Sequence, residues 1–153
     1  MVLVKVGEKA PVFTLESQKG ELVSLSDLIG KKNIVLFFYP KDKSKGCTRQ
    51  ACEFRDKYAV FKDRGAEVIG ISSDDVASHE SFADEFRLPF ILLSDTKGIV
   101  RKLYGVSSTF GLIPGRVTFV IDKKGIVRHV FSSQFSPKKH IKEALEALEK
   151  FSK

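Results

Sequence analysis

Asn33-Ile34-Val35-Leu36-Phe37-Phe38-Tyr39-Pro40, then Lys41-Asp42-Lys43-Ser44-Lys45-Gly46, then Cys47-Thr48-Arg49-Gln50-Ala51-Cys52: the fold turns on how this stretch is read. From Asn33 to Tyr39 the chain is apolar without alternation, the pattern of a strand covered on both faces. Pro40 ends the strand and a six-residue polar loop follows. From Cys47 to Arg64 a helical pattern places Ala51, Phe54, Tyr58 and Phe61 at spacings of three and four, and Gly65 supplies the stop.

The rest of the chain continues that alternation. Val12 to Leu15 and Leu22 to Leu25, joined through Gln18-Lys19-Gly20, read as an N-terminal β-hairpin. Ser26 to Gly30 reads as one capped helical turn. Glu67 to Ser72 is a second buried strand, Asp74-Asp75 introduce a helix through Phe86 that Pro89 closes, and Phe90 to Leu93 is a third strand. Lys97 to Tyr104 is a short helix. Val117 to Ile121 and Ile126 to Phe131 form a hairpin about Asp122-Lys123-Lys124-Gly125. Ser136-Pro137 starts a last helix, with Ile141, Ala144, Leu145, Leu148 and Phe151 on one face. The expected class is α/β, a mixed central sheet covered by helices on both faces, in one domain spanning 1–153.

Composition removes several functions. Hydrophobic residues are 42% and charged residues 29%, as in globular domains, and no apolar run approaches the ~20 residues of a membrane span. The net charge is +7, but Lys and Arg are scattered and most of the 13 Phe sit at core positions, which speaks against a nucleic-acid footprint. The first residues lack the pattern of a secretory signal and the Arg- and Ser-rich character of a transit peptide. His79, His129 and His140 are dispersed, so the two cysteines belong to no zinc pattern. Cys47 and Cys52 are either a redox pair or two inert core thiols.

Position favours the first. Cys47 falls beyond the carboxyl end of a strand, at the start of a helix, where unpaired N–H groups and the helix dipole favour an anion. Lys41, Lys43, Lys45, Arg49 and Arg55 outnumber Asp42 and Glu53 nearby. A thiol there is thiolate-rich and nucleophilic. Five residues along a helix separate two Cα atoms by about 8.6 Å, beyond the ~7 Å a disulfide tolerates. Either the two thiols never meet, or the first turn unwinds so that a Cys47 sulfenic acid condenses with Cys52.

Pro40, Ser44 and Cys47, spaced by three and then two residues, resemble the active-site motif of the peroxiredoxins. Cys47-Thr48-Arg49-Gln50-Ala51-Cys52 is similar to the two-cysteine helix of the peroxiredoxin Q group, also called bacterioferritin comigratory protein. The resemblance runs on through Gly65 to Ser72, Leu88-Pro89-Phe90, Leu92 to Asp95 and Pro114-Gly115-Arg116. Lys45 stands where that group often has Pro, and Ser44 where it more often has Thr, keeping the hydroxyl. The resemblance implies a thioredoxin-like fold with the hairpin as an N-terminal extension. It further implies Cys47 as the peroxidatic nucleophile, Cys52 as the resolving thiol and Pro40 as the shield of the thiolate. Ser44 would hydrogen-bond the peroxide, and Arg116 would stabilise the thiolate and the oxygen charge developing as O–O breaks. By base rate alone Arg116 would be a surface arginine and Ser44 a cap or turn residue.

The expected activity is reduction of hydrogen peroxide and organic hydroperoxides, with a thioredoxin or related dithiol protein as electron donor and no cofactor or metal. A monomer is expected, because both thiols lie in one helix. The resemblance points to a chloroplast protein without its transit peptide, or equally to a cytoplasmic one, and not to a secreted one. The rivals are a disulfide exchanger, which wants two residues between its cysteines rather than four, and a non-catalytic binding module of the same fold. Loss of peroxide on rapid mixing separates the enzyme from the module.

Overall fold

In the computed structural model, residues 3–106, 108–109, 113–134 and 136–151 are described. The strands are β1 (Thr14–Ser17), β2 (Leu22–Ser24), β3 (Asn33–Phe38), β4 (Ala66–Ser72), β5 (Ile91–Ser94), β6 (Ser108–Thr109), β7 (Ile113–Pro114), β8 (Val117–Ile121) and β9 (Val127–Ser132). The helices are α1 (Leu25–Leu28), α2 (Lys45–Asp56), α3 (Tyr58–Asp63), α4 (Val76–Phe86), α5 (Ile99–Leu103) and α6 (Pro137–Phe151). Seven strands form one sheet in the order β2-β1-β5-β4-β3-β8-β9. β3, β4 and β5 run parallel, while β8 pairs antiparallel with β3 and β1 antiparallel with β5.

The unbroken apolar run of β3 is explained by its central place. All six of its residues are buried, and successive side chains point to opposite faces. Val35, Phe37 and Tyr39 enter one core with Phe54, Phe61, Phe82 and Leu148, from the elements that carry α2, α3, α4 and α6. Ile34, Leu36 and Phe38 enter the other with Leu25, Val100, Tyr104 and Phe119. The mixed sheet covered on both faces is therefore as expected, and it has the thioredoxin-like arrangement.

Several local expectations are corrected. The helix begins at Lys45, two residues before Cys47, with Ser44 at its N-cap, and it is interrupted at Lys57 (φ −101°, ψ 4°). Helical hydrogen bonds persist on both sides of Lys57, so the apolar period survives and hides the break. α4 is closed by Arg87 in the left-handed conformation (φ 53°), before Pro89 is reached. The early helical turn starts at Leu25 without a side-chain cap, because the Ser24 hydroxyl is paired with Thr14 Oγ1 at 2.7 Å. The N-terminal hairpin is present as expected, and it extends the main sheet at its edge through β1 and β5. The β6–β7 ribbon was not expected. The expected place of Phe151 on the face of α6 concerns a side chain outside the described residues.

Candidate active site

β3 delivers the chain to Pro40, and the loop to Ser44 turns it into α2. Ser44 caps by its backbone: its carbonyl accepts from Thr48 N–H at 2.8 Å, while its hydroxyl donates to the Lys41 carbonyl at 3.0 Å. With its proton so engaged, Ser44 Oγ can serve a further partner as an acceptor. Pro40 is half-buried at the end of β3, and Cys47 is the third residue of α2, 1% exposed.

Arg116 comes from the segment entering β8 and is 4% exposed. Its Nη2 donates to Cys47 Sγ at 3.3 Å, its Nη1 to Gln50 Oε1, and its Nε to the Gln134 carbonyl at 3.3 Å. All three arms of the guanidinium are thus fixed with one aimed at sulfur, as a planar, permanently charged fork permits. Cys47 and Arg116, far apart in sequence, are brought together. Cys52 lies further along the same helix, half-buried, and both cysteines are free. Burial pushes the Cys52 thiol up from its ordinary value, against a smaller downward pull from Arg55. That shift favours the protonated thiol over the thiolate.

Beneath the loop is a polar anchor. The buried carboxylate of Asp42 accepts from Tyr39 Oη at 2.6 Å and Ser78 Oγ at 2.8 Å, and meets His79 Nδ1 at 2.7 Å. The Asp42 N–H donates to Asp74 Oδ2 at 2.7 Å, which also accepts from Ser72 Oγ at 2.7 Å. His79 Nε2 faces the Leu93 carbonyl at 3.0 Å. Burial first, then the charge of Asp42, drives the Tyr39 phenol well above its ordinary value, so it remains a donor. Asp42, Asp74 and His79 bring ligand-type atoms within 4.8 Å of one another. Their atoms are engaged by these bonds, which fit an anchor for the loop better than a metal site.

Gln50, Asp42 and His79 were missed as parts of this site. Gln50 lies one helical turn from Cys47, on the same face, so its position carried a signal. Asp42 registered only as a loop charge, and His79 as an isolated histidine; what joins them is tertiary.

The AhpC/TSA family model matches residues 6–130. The chloroplastic peroxiredoxin Q of Triticum aestivum is 54% identical over 147 residues, covering 95% of this chain and 67% of the relative. A peroxidoxin, BcpB, from Mycobacterium tuberculosis superposes with a TM-score of 0.89 at 39% identity, over 96% of this chain and 97% of that one. The Xanthomonas campestris bacterioferritin comigratory protein, whose structure is described in terms of alkyl peroxide reduction, gives a TM-score of 0.82 at 26% identity, over 92% of each chain. With an arginine-bound cysteine at the start of a helix and these likenesses over nearly its whole length, the chain belongs to the AhpC/TSA family, in its peroxiredoxin Q group.

Proposed function

We propose that this thiol-dependent peroxidase does its chemistry at Cys47 and resolves the product with Cys52. The observation that carries the assignment is the 3.3 Å bond from buried Arg116 to Cys47 Sγ, in the first turn of α2. The Cys47 thiolate attacks the nearer oxygen of the peroxide O–O bond. An S–O bond forms, O–O breaks, and the leaving oxygen takes a proton to depart as water or alcohol. Cys47 is left as a sulfenic acid. Ser44 Oγ accepts from the peroxide hydrogen, Arg116 offsets the charge developing on oxygen, and Pro40 screens the sulfur from water.

Cys52 then attacks the sulfenic sulfur, a disulfide forms and water leaves. A dithiol protein, thioredoxin or a relative of it, exchanges with that disulfide and returns both thiols. Both reacting sulfurs lie in one helix, which supports a monomeric cycle without a second subunit. The plant relatives bear chloroplastic names, which supports a plastid location for this chain. The alkyl peroxide activity named for the Xanthomonas protein supports organic hydroperoxides beside hydrogen peroxide as substrates.

The test is single-turnover peroxide consumption in cysteine variants. Cys52→Ser should consume one equivalent at the wild-type rate and stop, and Cys47→Ser should consume none.

A further inference from the structure

The ladder between β3 and β8 ends at the pair Phe38–Val117. Past it, on the β3 side, come Tyr39 and then Pro40, which has no N–H to donate. On the β8 side lie Arg116 and Gly115. The carbonyls of Tyr39 and Gly115 therefore leave the ladder just where the chain becomes the active site, one residue before Pro40 and one before Arg116. A buried carbonyl without a donor is costly.

Arg101, on α5, answers both. Its Nη1 donates to the Gly115 carbonyl at 3.0 Å and its Nη2 to the Tyr39 carbonyl at 3.0 Å. The residue is 8% exposed, and its guanidinium lies 5.7 Å from the centre of the Phe38 ring. The start of α5 is itself pinned by Asp95, which accepts from Val100 N–H at 3.1 Å and Arg101 N–H at 2.9 Å. Arg101 makes no salt bridge among the described residues, which is unusual for a buried cation. Burial pulls its pKa down from the ordinary value, against the opposing charge of Asp95.

We propose that Arg101 is a positioning residue for the peroxide reaction: it ties the backbone before Pro40 to the backbone before Arg116 and so sets the gap in which the peroxide meets Cys47. Only a planar fork with two separate donors spans both carbonyls; a lysine ammonium in that place reaches one at a time. The step it serves is attack on the peroxide, where reacting atoms must be aligned. Closure of the disulfide, which needs α2 to open, does not use this gap. The inference rests on the peroxidase reading.

The experiment compares wild type with Arg101→Lys and Arg101→Ala. It measures three things in each: the rate of Cys47 oxidation by hydrogen peroxide, the rate of Cys47 alkylation by iodoacetamide, and the rate of disulfide closure. Alkylation needs the thiolate and access to it, but not the alignment of an O–O bond between Cys47 and Arg116. Arg101→Lys keeps the charge and provides the folded variant should Arg101→Ala fail to fold. Oxidation should fall about 10- to 100-fold in Arg101→Lys, the usual cost of misplacement by an ångström, with alkylation and closure unchanged. Oxidation at the wild-type rate overturns the proposal. So does an equal fall in oxidation and alkylation, which marks a general loosening. Wild-type protein inert to peroxide would instead sink the peroxidase reading itself.

Discussion

Gly46 stands against the guanidinium of Arg116: a Cβ at that position would lie 3.1 Å from Arg116 Nη2 and 3.7 Å from Pro137 Cγ. The same Nη2 holds Cys47 Sγ, so a side chain at 46 would press on the group that contacts the sulfur. Gly46→Ala should slow peroxide oxidation of Cys47 without unfolding the protein. Alanine is the better helix former, by up to about 1 kcal/mol. Stopped-flow oxidation beside a thermal melt checks this; an unchanged oxidation rate would mean that Arg116 has room to spare.

Arg116 itself should matter more. Removing a donor aimed at developing oxygen charge costs about 100-fold or more in rate. Arg116→Ala should show that loss in the oxidation step. Arg116→Lys should recover only part of it, because a lysine cannot hold Gln50, Gln134 and the sulfur together. The split between the two variants separates charge from orientation.

The loop is predicted to depend on Asp42. Asp42→Ala deprives Tyr39, Ser78 and His79 of their shared acceptor. Each buried donor left without a partner costs about 1–3 kcal/mol. Chemical denaturation reads the loss, and amide exchange over residues 41–46 should speed up well beyond what the global destabilisation explains.

Much of this was legible in the sequence because it is local. The unbroken run of β3, the terminal helix and the paired turns follow from period and composition, and Cys47 with Arg116 from their motifs. The break at Lys57 was hidden because the apolar spacing runs through it. The joint between β1 and β5 and the roles of Arg101 and Asp42 were not legible. In sequence Arg101 is one basic residue of a short helix, and only packing against the ends of β3 and β8 makes it a clamp.

His140 gives the protein an acid limit. It is buried between the Thr118 hydroxyl, 2.8 Å from Nδ1, and the Ser133 carbonyl, 2.8 Å from Nε2. Burial, with the charge of Arg116 adding to it, pushes its pKa down from 6.5 to about 4. The unfolded chain therefore binds a proton near pH 6.5 that the folded chain refuses until about pH 4. This contribution is fully present above pH 6.5 and is lost as pH falls between those values, up to about 3 kcal/mol in all. Denaturation midpoints between pH 4 and 7 should fall with acid in the wild type and fall less steeply in His140→Gln.

The reduced protein carries an ordered helix from Lys45 to Asp56 with both cysteines inside it. In an intact helix their Cα atoms are about 8.6 Å apart, too far for a disulfide. Oxidation should therefore unwind the first turn, a helix end where opening is cheap relative to global unfolding. Amide exchange over residues 46–56 should be protected when reduced and fast when oxidised. Equal protection in the two states, with the bridge present, would exclude local unfolding from the cycle.

The most direct measurement of the whole account is the mass of the protein and of its peptides after one equivalent of hydrogen peroxide. The wild type should lose two hydrogens at monomer mass, with Cys47 joined to Cys52. Cys52→Ser should carry one added oxygen on Cys47, and Cys47→Ser should be unmodified. Peroxide consumed by Cys47→Ser at the wild-type rate, or oxygen found on Cys52 in place of Cys47, would contradict the assignment of the nucleophile.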